Sequence, residues 1–156
     1  MVKEAGMKQR AMKFADELME KAQGLLCKDG YLAPVVFSAK GEQIIPVLLQ
    51  MQTDEDKNVI PGLLKKIAHD ADFIVMLADS YVKPIAKGEV APAVLKGNPD
   101  AMSAIVAFLY LKDGMFIRNM TYIKNEEGRF NFFDQGWEKI LKEDTAQCRF
   151  ANPFNS

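Results

Sequence analysis

Histidine and cysteine are nearly missing from this chain of 156 residues: His69 is the single histidine, and the two cysteines, Cys27 and Cys148, stand far apart. Most chemistry legible in a sequence uses imidazole, thiolate or regularly spaced carboxylates, so the shortage removes the common patterns for metal binding and nucleophilic catalysis. Glycine-rich phosphate loops are missing too, which excludes the usual routes to nucleotide binding. The longest unbroken apolar run, Ala104 to Leu111, is far below the roughly 20 residues a membrane-crossing helix needs. Neither sign of charge is in excess: 20 basic residues face 21 acidic ones, a net charge of -1, and no field steers the chain toward a polyanion. Two widely separated cysteines do not make a disulfide framework, and the charged start of the chain has no signal-like apolar core. A reduced, cytoplasmic protein is expected, with no membrane contact and no strong nucleic-acid signal.

What is present is a set of periodic segments. From Met7 to Leu26 the apolar residues Met7, Ala11, Phe14, Ala15, Leu18, Ala22, Leu25 and Leu26 recur at intervals of three and four, the pattern of one helix face. Asp29-Gly30 should end that helix. Pro34–Ala39 and Gln43–Gln50, joined by Lys40-Gly41-Glu42, read as a hairpin, and Pro46 puts the second strand at a sheet edge or at a bulge. A second helix of about three turns is expected from Pro61, with Ile60, Leu63, Leu64, Ile67, Ala68 and Ala71 along its apolar side.

Phe73–Ala78 and Ala104–Leu111 are continuous apolar runs, expected to be central strands covered on two sides. Asp113-Gly114 predicts a hairpin to Met115–Lys124, and Glu126-Glu127-Gly128 a further turn to Arg129–Asp134. Gly136 to Leu141 is read as a last helical turn or two. Residues 1–149 should then form a single α+β domain, with a C-terminal tail at 150–156 that is loose or docked at an interface. The expected fold is an antiparallel or mixed sheet of five or six strands with two main helices mostly on one face, in the order α-β-β-α-β, long loop, β-β-β-α.

That order up to the third strand is shared with zinc-dependent nucleoside deaminases and deubiquitinase-like domains, but their ligand motifs are missing. The second helix region reads Val59-Ile60-Pro61-Gly62, and the later proline reads Pro92-Ala93-Val94-Leu95, with no zinc ligands. No metal or cofactor is expected. His69, beside Asp70 and Asp72, is read as a cation at a helix end rather than a general base. Asp54-Glu55-Asp56 is read as charge at a helix start rather than a cation site, and Cys27 as a small buried hydrophobe.

Three functions are weighed. The first is a non-catalytic interaction or scaffold module that forms a homodimer: helices on one face would leave the other bare, and the late aromatics Phe130, Phe132, Trp137, Phe150 and Phe154 would form the contact. The second is a small-molecule binder or enzyme with its site under the loop at 84–102, drawing on Asp79, Tyr81, Lys83, Glu89, Asn98 and Asp100. The third is a nucleic-acid accessory protein using Lys112, Arg118, Lys124 and Arg129. No catalytic residue is assigned.

Overall fold

The two uninterrupted apolar runs lie side by side at the centre of the molecule, and everything else is arranged about them. A computed structural model describes residues 2–50, 53–82, 102–141 and 150–155. In chain order the elements are α1 (Val2–Asp29), β1 (Val35–Lys40), β2 (Gln43–Leu48), α2 (Asp54–Ala68), β3 (Phe73–Val82), β4 (Met102–Leu111), β5 (Gly114–Lys124), β6 (Phe130–Ile140) and a 3-10 turn at Pro153–Asn155. The six strands form one sheet, ordered β2-β1-β3-β4-β5-β6, with every neighbouring pair antiparallel. This is the α+β fold, and the order of elements, that the sequence predicts as far as β6.

Successive side chains of a strand point to opposite faces, and both faces of the central strands are covered. Phe73, Val75 and Leu77 of β3, with Ile105, Ala107 and Leu109 of β4, pack under α1 against Ala11, Ala15, Leu18, Met19, Ala22 and Leu26. Ile74 and Met76 of β3 and Tyr110 of β4 face the other way, against Ile60 and Leu64 of α2. The two-sided burial expected of these runs is therefore present, but the helices are not on one face. Each apolar side of a fully buried strand needs its own cover, and one helix supplies each.

The hairpin β1–β2 turns at Gly41, whose φ of +58° is a conformation glycine adopts without strain. Leu49 donates its N–H to the Pro34 carbonyl at 2.9 Å, which fixes the alternation of the ladder. Counting from that bond, the Phe37–Pro46 pair is a non-hydrogen-bonded one, so the donor that Pro46 lacks is on the outer side of β2. β2 is an edge strand, as the proline requires.

Helix α2 starts at Asp54, well before Pro61. Thr53 accepts a hydrogen bond from the Asp56 N–H at 3.1 Å, and the Asp56 carboxylate accepts one from the Thr53 N–H at 3.1 Å, a reciprocal cap that nucleates the first turn. Pro61 is inside the helix, and Asp54-Glu55-Asp56 forms its first turn.

The expected helical turn at Gly136–Leu141 is instead the end of strand β6. Gly136 has φ +72°, outside the helical region, and the ladder shifts register there: Arg118 pairs with Trp137 but Met120 with Asp134. One extra residue on β6 makes a bulge. The tail does not hang free. Phe150 and Phe154 pack on the α2 side of the sheet, and the Asn152 amide donates to the carbonyls of Leu111 at 2.9 Å and Gly114 at 3.1 Å.

Candidate functional site

Strand β5 organises the polar surface on the α1 side of the sheet. Its alternate residues Phe116, Arg118, Met120 and Tyr122 face that way, and the bulge in β6 re-phases the neighbouring strand so that both Asp134 and Trp137 join them. Arg118 is the centre of an ion cluster. Its Nη1 donates to Asp16 of α1 at 2.6 Å, its Nε to Asp134 Oδ1 at 3.0 Å, and its Nη2 to Asp134 Oδ2. The Trp137 indole N–H donates to the same Asp16 oxygen at 2.8 Å, and the Gly136 N–H to Asp134 at 2.8 Å.

This fork-on-carboxylate geometry is the strong form of an ion pair. The Arg118 hydrogen bond holds the Asp134 carboxyl below its ordinary range, against a smaller opposing effect of burial. Arg118 is held further above its ordinary value, first by Asp134. The cluster lines a shallow groove of about 500 Å³ between α1 and β6, together with Glu20 and Gln23. Its cation is neutralised on two sides, so the groove ties α1 to the edge of the sheet more than it offers a free charge.

A second cluster lies on the same face four residues further along β5, at Tyr122. The Tyr122 hydroxyl donates to Asp79 Oδ1 of β3 at 2.6 Å, reaching across β4. Burial pushes the Asp79 carboxyl above its ordinary value, and the Tyr122 hydrogen bond opposes that shift. The Tyr122 ring meets Phe130 edge-on at 5.6 Å and Phe132 at 6.0 Å, while Phe130 and Phe132 stack at 6.1 Å and 20°. The Lys124 ammonium is 5.6 Å from the Phe130 centroid.

Of the six residues expected at a ligand site, Asp79 is in this cluster. Tyr81 is placed in β3 opposite Ser103, with its side chain outside the described residues, as are Lys83, Glu89, Asn98 and Asp100 altogether. The five aromatics expected at an interface separate: Phe130, Phe132 and Trp137 pack on the α1 side, Phe150 and Phe154 on the α2 side. Of the four basic residues, Arg118 is held by Asp16 and Asp134, Lys124 lies over Phe130, Arg129 is 3.9 Å from Glu127, and Lys112 is exposed. His69 is the exposed C-cap of α2, while Asp70 pairs with Lys40 at 3.3 Å and Asp72 accepts from the Gly41 N–H at 2.7 Å. Cys27, expected inside, is exposed, because it falls on the polar side of α1 next to the buried Leu26.

The third feature is apolar. Edge strand β2 reads Gln-Ile-Ile-Pro-Val-Leu, and it exposes side chains to both faces: Ile45 is 57% and Leu48 77% accessible, with Ile44 at 37%. Ile44 and Leu48 share the α1 side, and Ile45 the other. Tyr122, Asp16 and Asp134 had no signal in the sequence, since their partners lie 43, 102 and 16 residues away. The β2 run did have one: five successive apolar residues in a strand that Pro46 assigns to an edge.

Among the described residues no group of three or more histidine, cysteine or acidic side chains is placed to hold a metal ion, and no helix is long and apolar enough to cross a membrane. In comparisons with known proteins, no family, no curated protein and no solved structure matches this chain.

Proposed function

We propose that this protein is a non-catalytic interaction module that self-associates as a dimer in the cytoplasm, and that the contact is made by strand β2. The observation that carries the reading is the exposure of Ile44, Ile45 and Leu48 on one six-residue edge strand. Scattered exposed apolar residues are ordinary, but a run that is apolar on both faces of an edge leaves in water surface whose burial contributes about 25 cal/mol per Å².

The partner packs side chains against β2 and does not extend the sheet. Pro46 removes the central outward-facing donor, which is how edges are protected against strand addition. A second copy is the simplest occupant, since a two-fold axis brings the same apolar residues to both sides of the contact. The late aromatics are less suited to that contact, because Trp137 is hydrogen-bonded to Asp16 and Phe150 and Phe154 cover their own sheet.

The test is the concentration dependence of the methyl signals of Ile44, Ile45 and Leu48 in NMR spectra. They should shift between micromolar and millimolar protein while the Leu64 methyls stay fixed. Signals that do not move over that range would contradict the reading.

A further inference from the structure

We propose that the surface formed by Asp79, Tyr122, Phe130 and Phe132 binds an alkylammonium cation, with the Asp79 carboxylate as its counter-ion and the rings as its walls. The site is on the α1 side of β3, β5 and β6, at the other end of the strand order from β2, and the inference stands independently of self-association.

The argument starts from the carboxylate. Asp79 is half-buried, its hydrogen-bond partner is the neutral Tyr122 hydroxyl, and among the described residues no lysine, arginine or histidine is paired with it. Asp16 and Asp134 on the same face differ in this, since they share Arg118. A carboxylate withdrawn from water without a cation is costly as an ion, and a ligand cation would offset that cost.

The rings select the kind of cation. Tyr122, Phe130 and Phe132 are all partly exposed and have centroids 5.6–6.1 Å apart, with the Tyr122 ring inclined at 53–65° to the other two, so three rings border the Asp79 carboxylate at a partly open surface. Aromatic faces attract ammonium groups, and quaternary ammonium most readily because it sheds water at little cost. The molecule supplies its own indication that a cation is held there: the Lys124 ammonium is 5.6 Å from the Phe130 centroid. A divalent metal is a poorer match, since a single carboxylate beside hydrocarbon rings offers too few oxygen ligands. A guanidinium is also poorer, because its fork needs both carboxylate oxygens and Tyr122 already occupies Oδ1.

The experiment is an NMR titration of the full chain with choline and, in parallel, with its neutral isostere 3,3-dimethyl-1-butanol. Choline should shift the ring signals of Tyr122, Phe130 and Phe132 to saturation, and the isostere should not. Asp79→Asn should weaken choline binding by about tenfold or more, the effect of losing the counter-ion, and Phe130→Leu by about two- to fivefold, the effect of one exposed ring. Lys124→Ala should strengthen it by removing a competing cation. Repeating the titration with N-acetyl-trimethyllysine methylamide distinguishes the source: tighter binding than choline points to a methylated lysine side chain, weaker binding to a free amine. Equal shifts from the isostere, or unchanged choline affinity in an Asp79→Asn protein that is folded by its circular dichroism, would overturn the proposal.

Discussion

The hydroxyl of Tyr110, a fully buried residue of β4, donates to the carbonyl of Phe150 at 2.8 Å and fastens the chain's last described segment to the middle of its sheet. Asn152 adds two bonds to the β4–β5 turn, and Phe150 stands edge-on to Phe108 at 5.9 Å. The segment closes, beside α2, a face that would otherwise be bare. A whole uncovered sheet face is therefore not the reason for this protein to associate, and the open apolar surface is reduced to a strand edge.

Tyr110→Phe should destabilise the protein by about 1–2 kcal/mol, because the carbonyl of half-buried Phe150 loses this partner. Asn152→Ala should cost at least as much, since two carbonyls and the Phe154 N–H lose theirs. Chemical denaturation gives the sizes. Hydrogen exchange at Phe154 should quicken in both variants, while the amides of β3 change only with global stability.

Leu18→Asp and Leu64→Asp should each prevent soluble folding. The two leucines are buried beneath opposite faces of the sheet, and an unpaired charge there costs roughly 3–5 kcal/mol or more, a large part of a small domain's stability. Lys13→Ala, on the exposed side of α1, should be silent within about 0.5 kcal/mol. Urea midpoints of the three proteins are the check.

Acid should separate Asp134 from Asp79. The folded-state value of Asp134 is depressed by Arg118, so its contribution is present above the unfolded value of about 4 and is lost as pH falls through the lower folded value. Asp134→Asn should accordingly destabilise at neutral pH and converge on wild type in strong acid. Asp79 is raised by burial, so the favourable contribution belongs to its protonated form, present below the unfolded value and lost as pH rises through the folded one. Asp79→Asn should therefore be equal to wild type in acid and more stable than it at neutral pH. Thermal melts across that range, at low salt, test both signs.

The fold was legible where one periodicity dominated. Met7 to Leu26 announced α1, Gly30 ended it, and the runs at Phe73 and Ala104 marked strands buried on both sides. The same two-sided runs require cover on both faces, and α1 and α2 supply it from opposite sides. Gly136-Trp137 reads as helix locally, and only the pairing with Arg118 turns it into strand, a tertiary effect that overrides propensity. The polar clusters were hidden for a related reason. Arg118 and Asp16 are 102 residues apart, and no local pattern records that β5 will pass beside α1.

Sedimentation velocity over a concentration series is the most direct test of the central claim. The wild-type chain should pass from monomer to dimer as concentration rises, Leu48→Asp and Ile45→Asp should remain monomeric with unchanged circular dichroism, and Trp137→Ala should still dimerise. A wild-type protein that sediments as a monomer at every concentration, or a dimer indifferent to both β2 substitutions, would contradict the assignment of this edge as the interface.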